Sequence, residues 1–237
     1  MKNLILITPV KDSLTTLKKT VPSILSTTVN FEYFIFDDFS TVETREWLEE
    51  HSAEYRYQIV GLNEYTTKKS PNYRTILIMA REMTLKKNAH LVIIESDVIV
   101  DQNTISGLYR LADRLPDAGL IGSVTVDQDG KINFPYLYAV SDGNTGTYVS
   151  NHSISFCCTL LTNNFLQQFN FDELPENLDW FDVPITKKSR ALGFKNYISK
   201  DLPVLHQPHG SRPWKMLKYK SPVLYYFKKF ISRRDRI

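Results

Sequence analysis

Residues Leu91–Val100, LVIIESDVIV, constrain this chain more than any other stretch. Leu91–Ile94 are apolar at every position, which reads as a strand buried on both faces, as in a parallel sheet covered by helices. Glu95 and Asp97 then put two carboxylates one residue apart at the carboxyl end of that strand, and apolar residues resume at Val98. Carboxylates there are costly to desolvate unless a cation or hydrogen-bond donors compensate them. A divalent metal suits the place best, because it prefers oxygen ligands and often also holds substrate phosphates. A solvated strand end with an acidic turn would carry the same letters, so the rest of the chain has to decide.

The remaining segments repeat the arrangement. Leu4–Ile7 reads as a first buried strand ending at Thr8-Pro9. Ser13 stands where it can cap a helix carrying Leu14, Leu17, Val21, Ile24 and Leu25, kinked at Pro22. Tyr33–Phe36 is a second strand ending at Asp37-Asp38, and Ser40 with Glu43 forms a capping-box pattern for a helix to about His51. Tyr57–Val60 is a third strand, and Tyr73 to Lys87 has helical spacing. Strands alternating with helices indicate βαβ units, hence an α/β fold with a mainly parallel central sheet and helices on both faces. Ligands of such sheets sit beyond the carboxyl ends of the strands. Thr8, Asp37, Asp38, Glu95 and Asp97 all fall on that edge, which makes it the expected site.

Beyond the central strand, Asp101 is placed to cap a helix through Leu115. Leu120–Val126 and Lys131–Phe134 flank Asp127–Gly130, a hairpin signal. Ile154–Leu161 reads as a strand, Asp179–Leu192 as a helix stopped by Gly193, and Lys195–Ile198 as extended chain.

Composition narrows the function classes. Hydrophobic content of 42% and charged content of 23% are those of a globular protein. The segment TPVKDSL after the first strand has no glycine, which argues against a nucleotidyltransferase loop and against a dinucleotide-binding dehydrogenase. No Ser-His-Asp or Cys-His arrangement stands out. Cys157 and Cys158 are the only cysteines and are adjacent, so no disulfide framework is expected, and a reducing compartment fits. The absence of a signal peptide and of a long apolar run points to the cytoplasm. A net charge of +3 is too small to argue for nucleic acid, and no nucleic-acid motif accompanies it. Residues 212–237 form a separate basic segment rich in aromatics. It reads either as a contact for the inner face of an anionic membrane or as a helix packed on the domain with a solvated basic face.

Six ordered pieces resemble the family 2 glycosyltransferases of the GT-A fold, especially their rhamnosyltransferase-like branch, over roughly residues 3–211. They are ILITPVKDSLTTLKKTVPSIL, FIFDDFST, IIESDVIV, LIGSVTVDQDGKI, DWFDVPITKKSRALGF and VLHQPHGS. The resemblance implies a GT-A domain over 1–211 with a Rossmann-like nucleotide-binding half. It also implies inverting transfer from a nucleoside-diphosphate sugar, UDP- or dTDP-linked, to a glycan or lipid-linked hydroxyl. Surface polysaccharide synthesis is the expected setting, with Mn2+ or Mg2+ as cofactor. By the same resemblance Asp97 is the main metal ligand and His206 a further ligand of metal or diphosphate, while Glu95 reaches the ribose, or the metal through water. Asp38, or its neighbour Asp37, contacts the nucleoside; Thr8 and Pro9 line the base; Asn72 and Arg74 approach the nucleotide, Arg74 towards phosphate. Asp182 matches the catalytic base. Phe181 and Pro184 stand where the family has acids, which keeps open a degenerate GT-A protein that binds a nucleotide sugar or serves as a scaffold.

Overall fold

The protein is described here by a computed structural model, covering residues 3–176, 178, 180–207 and 221–231. In chain order the strands are β1 (Asn3–Val10), β2 (Glu32–Asp37), β3 (Tyr57–Gly61), β4 (Ala89–Ile94), β5 (Val98–Ile99), β6 (Ala118–Val126), β7 (Thr147–Val149), β8 (Cys158–Leu161) and β9 (Lys195–His206). The helices are α1 (Leu14–Leu25), α2 (Val42–His51), α3 (Tyr73–Lys86), α4 (Thr104–Arg114), α5 (Asn163–Gln168), α6 (Asp182–Ala191) and α7 (Pro222–Ile231). One sheet runs β3-β2-β1-β4-β8-β6-β9-β5, with β7 also paired to β9.

Strand β1 pairs in parallel with β2 and β4, and β2 with β3, so the first half of the sheet is the parallel βαβ block the alternation implies. Successive residues of each strand point to opposite faces, and the two faces feed two separate cores. Ile5, Ile7, Phe34, Phe36, Leu91 and Ile93 meet Ile76 and Leu77 of α3, Phe165 of α5 and Ile185 of α6. Leu4, Leu6, Tyr33, Ile35, Val92 and Ile94 meet Leu17 and Val21 of α1, Leu48 of α2 and Leu108 of α4. Helices therefore cover both faces, and the architecture is an α/β fold of the GT-A type.

The second half of the sheet mixes directions. Strand β8 is antiparallel to both β4 and β6, whereas β9 is parallel to β6 and antiparallel to β5. This crossing strand carries the chain end back beside the carboxyl end of β4. There the central strand ends at Ile94, as expected, and a turn closed by the Val98 N–H on the Glu95 carbonyl at 3.1 Å leads into the short β5. A strand buried on both faces has no place for two carboxylates, and the turn lifts them to the sheet edge.

Several local expectations were overruled by tertiary contacts. Ser13 occupies the N-cap position of α1, but its hydroxyl makes no cap bond and donates to Ser96 Oγ at 2.7 Å. Ser40 does not cap α2, which starts after Thr41; its Oγ accepts the Asp12 N–H instead. Asp101 lies two residues before the N-cap of α4, Asn103, and its carboxylate accepts the Asn103 N–H. The helix α1 runs through Pro22, an exposed position where water can satisfy the carbonyl left without a donor. The Asp127–Gly130 turn forms, but its return arm pairs only through a Val126–Ile132 bridge. The expected strand from Ile154 starts only at Cys158, and α6 starts at Asp182; Asp179 lies outside the described residues. Gly193, at φ +88°, ends α6 as expected, in a conformation that favours glycine.

The late start of β8 depends on Gly122 in β6. A Cβ there would meet Ile154 Cγ2 at 2.5 Å and Tyr136 Oη at 2.8 Å. Tyr136 Oη accepts the Ser155 N–H at 3.1 Å and thereby sets the turn before Cys157. Gly122→Ala is expected to cost roughly 1–3 kcal/mol through overpacking, measured as a lowered urea midpoint with an unchanged slope.

Candidate active site

The carboxyl ends of β1, β2 and β4 converge. Val10 is paired with Asp37, the last residue of β2, and Asp37 with Gly61 at the end of β3. Asp37, Asp38 and Asp97 are all buried at this edge, with 3%, 4% and 7% of their surface exposed. Buried carboxylates need donors, and most of those seen come from loops.

Asp38 is the most fully engaged. Its Oδ2 accepts the Ser70 hydroxyl at 2.6 Å and the Asn72 N–H at 2.9 Å, and its Oδ1 accepts Asn72 Nδ2 at 2.7 Å. Asp38 and Asn72 are thus one unit, formed from the end of β2 and the entry to α3. Asp37 acts locally instead, since its Oδ1 accepts the Ser40 N–H at 3.0 Å and shapes the turn into α2. Lys11 Nζ donates to the Phe39 carbonyl at 2.7 Å, and Asp12 Oδ1 accepts the Thr41 N–H at 2.6 Å. The β1–α1 loop is in this way fastened to the loop after Asp38.

Three residues expected at the nucleotide have different surroundings. Thr8 is fully buried, with its hydroxyl 2.9 Å from Tyr33 Oη, so it braces β1 against β2. Pro9 is half-buried on the opposite face of β1. Arg74 points its guanidinium at the chain near Phe171–Glu173: Nε donates to the Leu174 carbonyl at 2.8 Å and Nη2 to the Asp172 carbonyl at 2.7 Å. In this structure Arg74 clamps that loop to α3.

The Glu95-Ser96-Asp97 turn is tied down at each residue. Glu95 N–H donates to the Cys157 carbonyl at 3.0 Å, Thr20 Oγ1 to the Ser96 carbonyl at 3.1 Å, and Gln207 N–H to the Asp97 carbonyl at 2.8 Å. Pairing of β5 with the end of β9 sets His206 opposite Val98, so His206 Nε2 lies 3.6 Å from Asp97 Oδ2. On its other side His206 Nδ1 is 3.0 Å from the Phe134 carbonyl. A carbonyl only accepts, so Nδ1 carries the proton and Nε2 faces Asp97. Burial alone would push the His206 pKa down, but the Asp97 carboxylate, with Glu95 and the Phe134 carbonyl, holds it above the ordinary histidine value.

Sequence reasoning missed Cys157. Burial pushes its thiol well up, and the carboxylates of Glu95, Asp97 and Asp182 push further, so it stays an S–H. It donates to Glu95 Oε2 at 3.7 Å and accepts the Ser155 hydroxyl at 3.3 Å. Those three carboxylates are the ones expected to carry metal binding and proton transfer. Asp182 opens α6 and its Oδ1 accepts the Val183 N–H at 2.9 Å. Phe181 beside it stacks on Tyr73 with ring centroids 6.0 Å apart, joining α6 to the entry of α3. No single-residue signal marked Cys157; only its place before an apolar strand hinted at burial.

Asp97 and His206 fit a divalent cation. The Nδ1–H of His206 on a backbone carbonyl is the usual orienting bond of a metal-ligating imidazole, and a carboxylate faces the other nitrogen beyond hydrogen-bond range. Among the described residues no group of three or more His, Cys, Asp or Glu side chains could hold a metal by itself, so the other ligands would be water and substrate oxygens.

A mostly parallel sheet between two helical layers, with acids gathered at its carboxyl edge, is an α/β fold of the GT-A type. The family described as glycosyl transferase family 2 matches residues 5–171, and the chain belongs to that family. No curated protein matches. Among solved structures, the chain is similar to a mannosyltransferase from Pyrobaculum calidifontis in complex with GDP-Man and Mn2+. That match has 15% identity and a TM-score of 0.64, covering 96% of this chain and 64% of that one. It is also similar to S. aureus TarS 1-349 in complex with UDP-GlcNAc, at 14% identity and a TM-score of 0.65, covering 88% and 60%. GalNAc-T7 with UDP, GalNAc and Mn2+ matches at 16% identity and a TM-score of 0.62, covering 87% and 44%. The chain spans less than two thirds of the length of each, and at these identities the likeness is one of fold.

Two outcomes test this geometry. Because Asp97 raises the folded-state pKa of His206, the pair's contribution to stability is complete below the unfolded histidine value and is lost as pH rises through the raised folded value. NMR titration of the metal-free protein should show His206 above the usual value of about 6.5 in wild type and lower in Asp97→Asn; identical titrations would refute the pairing. Cys157 and Cys158 are both free and buried, with the Cys158 thiol pushed up to about 12 by burial. Neither should react quickly with a disulfide reagent until the protein is unfolded, when both should.

Proposed function

We propose that the chain is an inverting, metal-assisted glycosyltransferase that moves a sugar from a nucleoside diphosphate to a hydroxyl of a glycan or lipid-linked acceptor. The observation that carries the reading is the pairing of Asp38 with Asn72 and of Asp97 with His206 at the carboxyl edge of the sheet in a family 2 chain, with Asp182 heading α6, whose start packs on the entry of α3. Nucleotide sugars bound to structurally similar proteins support the donor class, without choosing the base or the sugar. A UDP- or dTDP-linked hexose or deoxyhexose, as in the rhamnosyltransferase-like branch, is the preferred donor, and surface polysaccharide synthesis the preferred setting.

In this reading the Asp38–Asn72 unit holds the nucleoside, prearranged by the Ser70 hydroxyl and the Asn72 N–H. Asp97 and His206 hold a divalent ion, Mn2+ suiting their mixed oxygen and nitrogen donors. Bound there, the ion would neutralise charge growing on the departing diphosphate. Glu95, held by the Cys157 thiol, would reach the ribose or, through water, the metal. Asp182 takes the proton from the acceptor hydroxyl as that oxygen attacks the anomeric carbon and the diphosphate leaves from the opposite side. No enzyme nucleophile is needed, and displacement in one step inverts the centre. Thr8 acts here as a brace beneath the base, with Pro9 lining it.

Calorimetry with a panel of nucleoside diphosphates, with and without Mn2+, tests the site first. Metal-dependent binding of one of them, lost in Asp97→Asn together with turnover, is the expected result. Asp182→Ala should keep that binding and lose transfer by about 10²–10⁴-fold, the usual worth of a positioned base. Full transfer in Asp182→Ala would remove the base assignment. Binding without transfer in the wild type, whatever the acceptor, would favour the degenerate form to which Phe181 and Pro184 point.

A further inference from the structure

The transfer site leaves α7 unused. Its side chains at Val223, Phe227, Tyr226 and Leu224 are 83%, 60%, 55% and 40% exposed, while Tyr225 is 1% exposed. Val223 and Phe227 are four residues apart and share a helix face. Among the described residues the other large exposed apolar side chains are single, as at Val42, Tyr65 and Val149, or a pair, Leu137 and Val140, and single ones are ordinary. Four within five residues form a contiguous patch, and such patches mark contacts.

Charge identifies the partner. Residues 212–237 carry nine lysines and arginines against one acid, Asp235, a net of +8. The whole chain is +3, so residues 1–211 are at −5 (+3 less +8). An anionic surface would attract this segment and repel the remainder, which orients the molecule as well as binding it. The helix has 10 residues, roughly 15 Å at 1.5 Å per residue, half of what a bilayer core requires. Among the described residues no helix is long and apolar enough to cross a membrane. A short helix with aliphatic and aromatic side chains to solvent, in a segment rich in cations, matches a lipid interface, which supplies an apolar layer beneath anionic headgroups and needs no shape complement. A nucleic-acid backbone would leave Val223 and Leu224 without a partner.

We infer that α7 is an interfacial anchor that lies in the plane of an anionic phospholipid surface, with Val223, Leu224 and Phe227 inserted among the acyl chains and the lysines and arginines of the segment at the headgroups. The anchor does not depend on the transfer reading.

The test is cosedimentation of the full chain with vesicles of phosphatidylcholine alone or mixed with phosphatidylglycerol, without nucleotide sugar. The expected result is binding to the mixed vesicles only, reduced several-fold by high salt, which screens surface charge. The double variant Val223→Ser/Phe227→Ser should bind on the order of tenfold more weakly, and Lys228→Gln/Lys229→Gln several-fold more weakly. Val223 and Phe227 face solvent on a short helix, and far-UV circular dichroism confirms that each variant is folded. Failure to bind anionic vesicles, or equal binding by Val223→Ser/Phe227→Ser, overturns the proposal. Lipid-free self-association abolished by the same variant would reassign the face to a second copy and overturn it too. Since no donor sugar is present, failure here leaves the transferase reading standing, and failure of transfer leaves this one standing.

Discussion

The structure depends on how the turn Glu95-Ser96-Asp97 is held at the end of a strand buried on both faces. Two carboxylates there would be intolerable without compensation. The carboxylates themselves are met by the Cys157 thiol on Glu95 and by His206 facing Asp97, while the rest of the turn is tied to α1 through Ser13 and Thr20, to the lead into β8 through the Cys157 carbonyl and to the end of β9 through the Gln207 N–H. Each bond is modest alone, about 0.5–1.5 kcal/mol net for a neutral pair. Their combined effect is to fix the carboxylates before any ligand arrives, which is how a site acts on developing charge without reorganising.

The two-faced sheet is what makes such fastening possible. Strand β4 sends Leu91 and Ile93 into one core and Val92 and Ile94 into the other, so it cannot shift without opening both. The parallel half delivers the Asp38–Asn72 unit from a strand end and a helix entry. The mixed half delivers the rest, because β8 runs antiparallel to β4 and β9 returns past β6 to meet β5. His206 reaches Asp97 only through that return.

Hydroxyls show why local signatures misled in places. Ser13 and Ser40 have the residue type and spacing of helix caps, and each gives its oxygen to a neighbouring loop instead. Joining two loops of the site satisfies two buried segments at once, where capping would satisfy a helix end that water or the backbone can also serve. Arg74 likewise joins two segments, its guanidinium donating to two backbone carbonyls of another loop. A charged residue near a site has several compensating partners, and sequence order does not say which lies closest.

What the sequence by itself determined was the alternation of apolar runs and amphipathic helices, and the placing of Asp37, Asp38, Glu95 and Asp97 at strand ends. These are local consequences of side-chain periodicity and of the cost of burying charge. It also marked Asp182 and His206 through their likeness to family 2 motifs. Only the tertiary structure decided that Asp38 and Asn72 form one hydrogen-bonded unit, that Cys157 sits among the carboxylates, and that Arg74 and Thr8 brace the scaffold. Such contacts join residues far apart in the chain. They are settled by strand order and direction, which follow from packing the whole sheet between its two helical layers and from no segment alone.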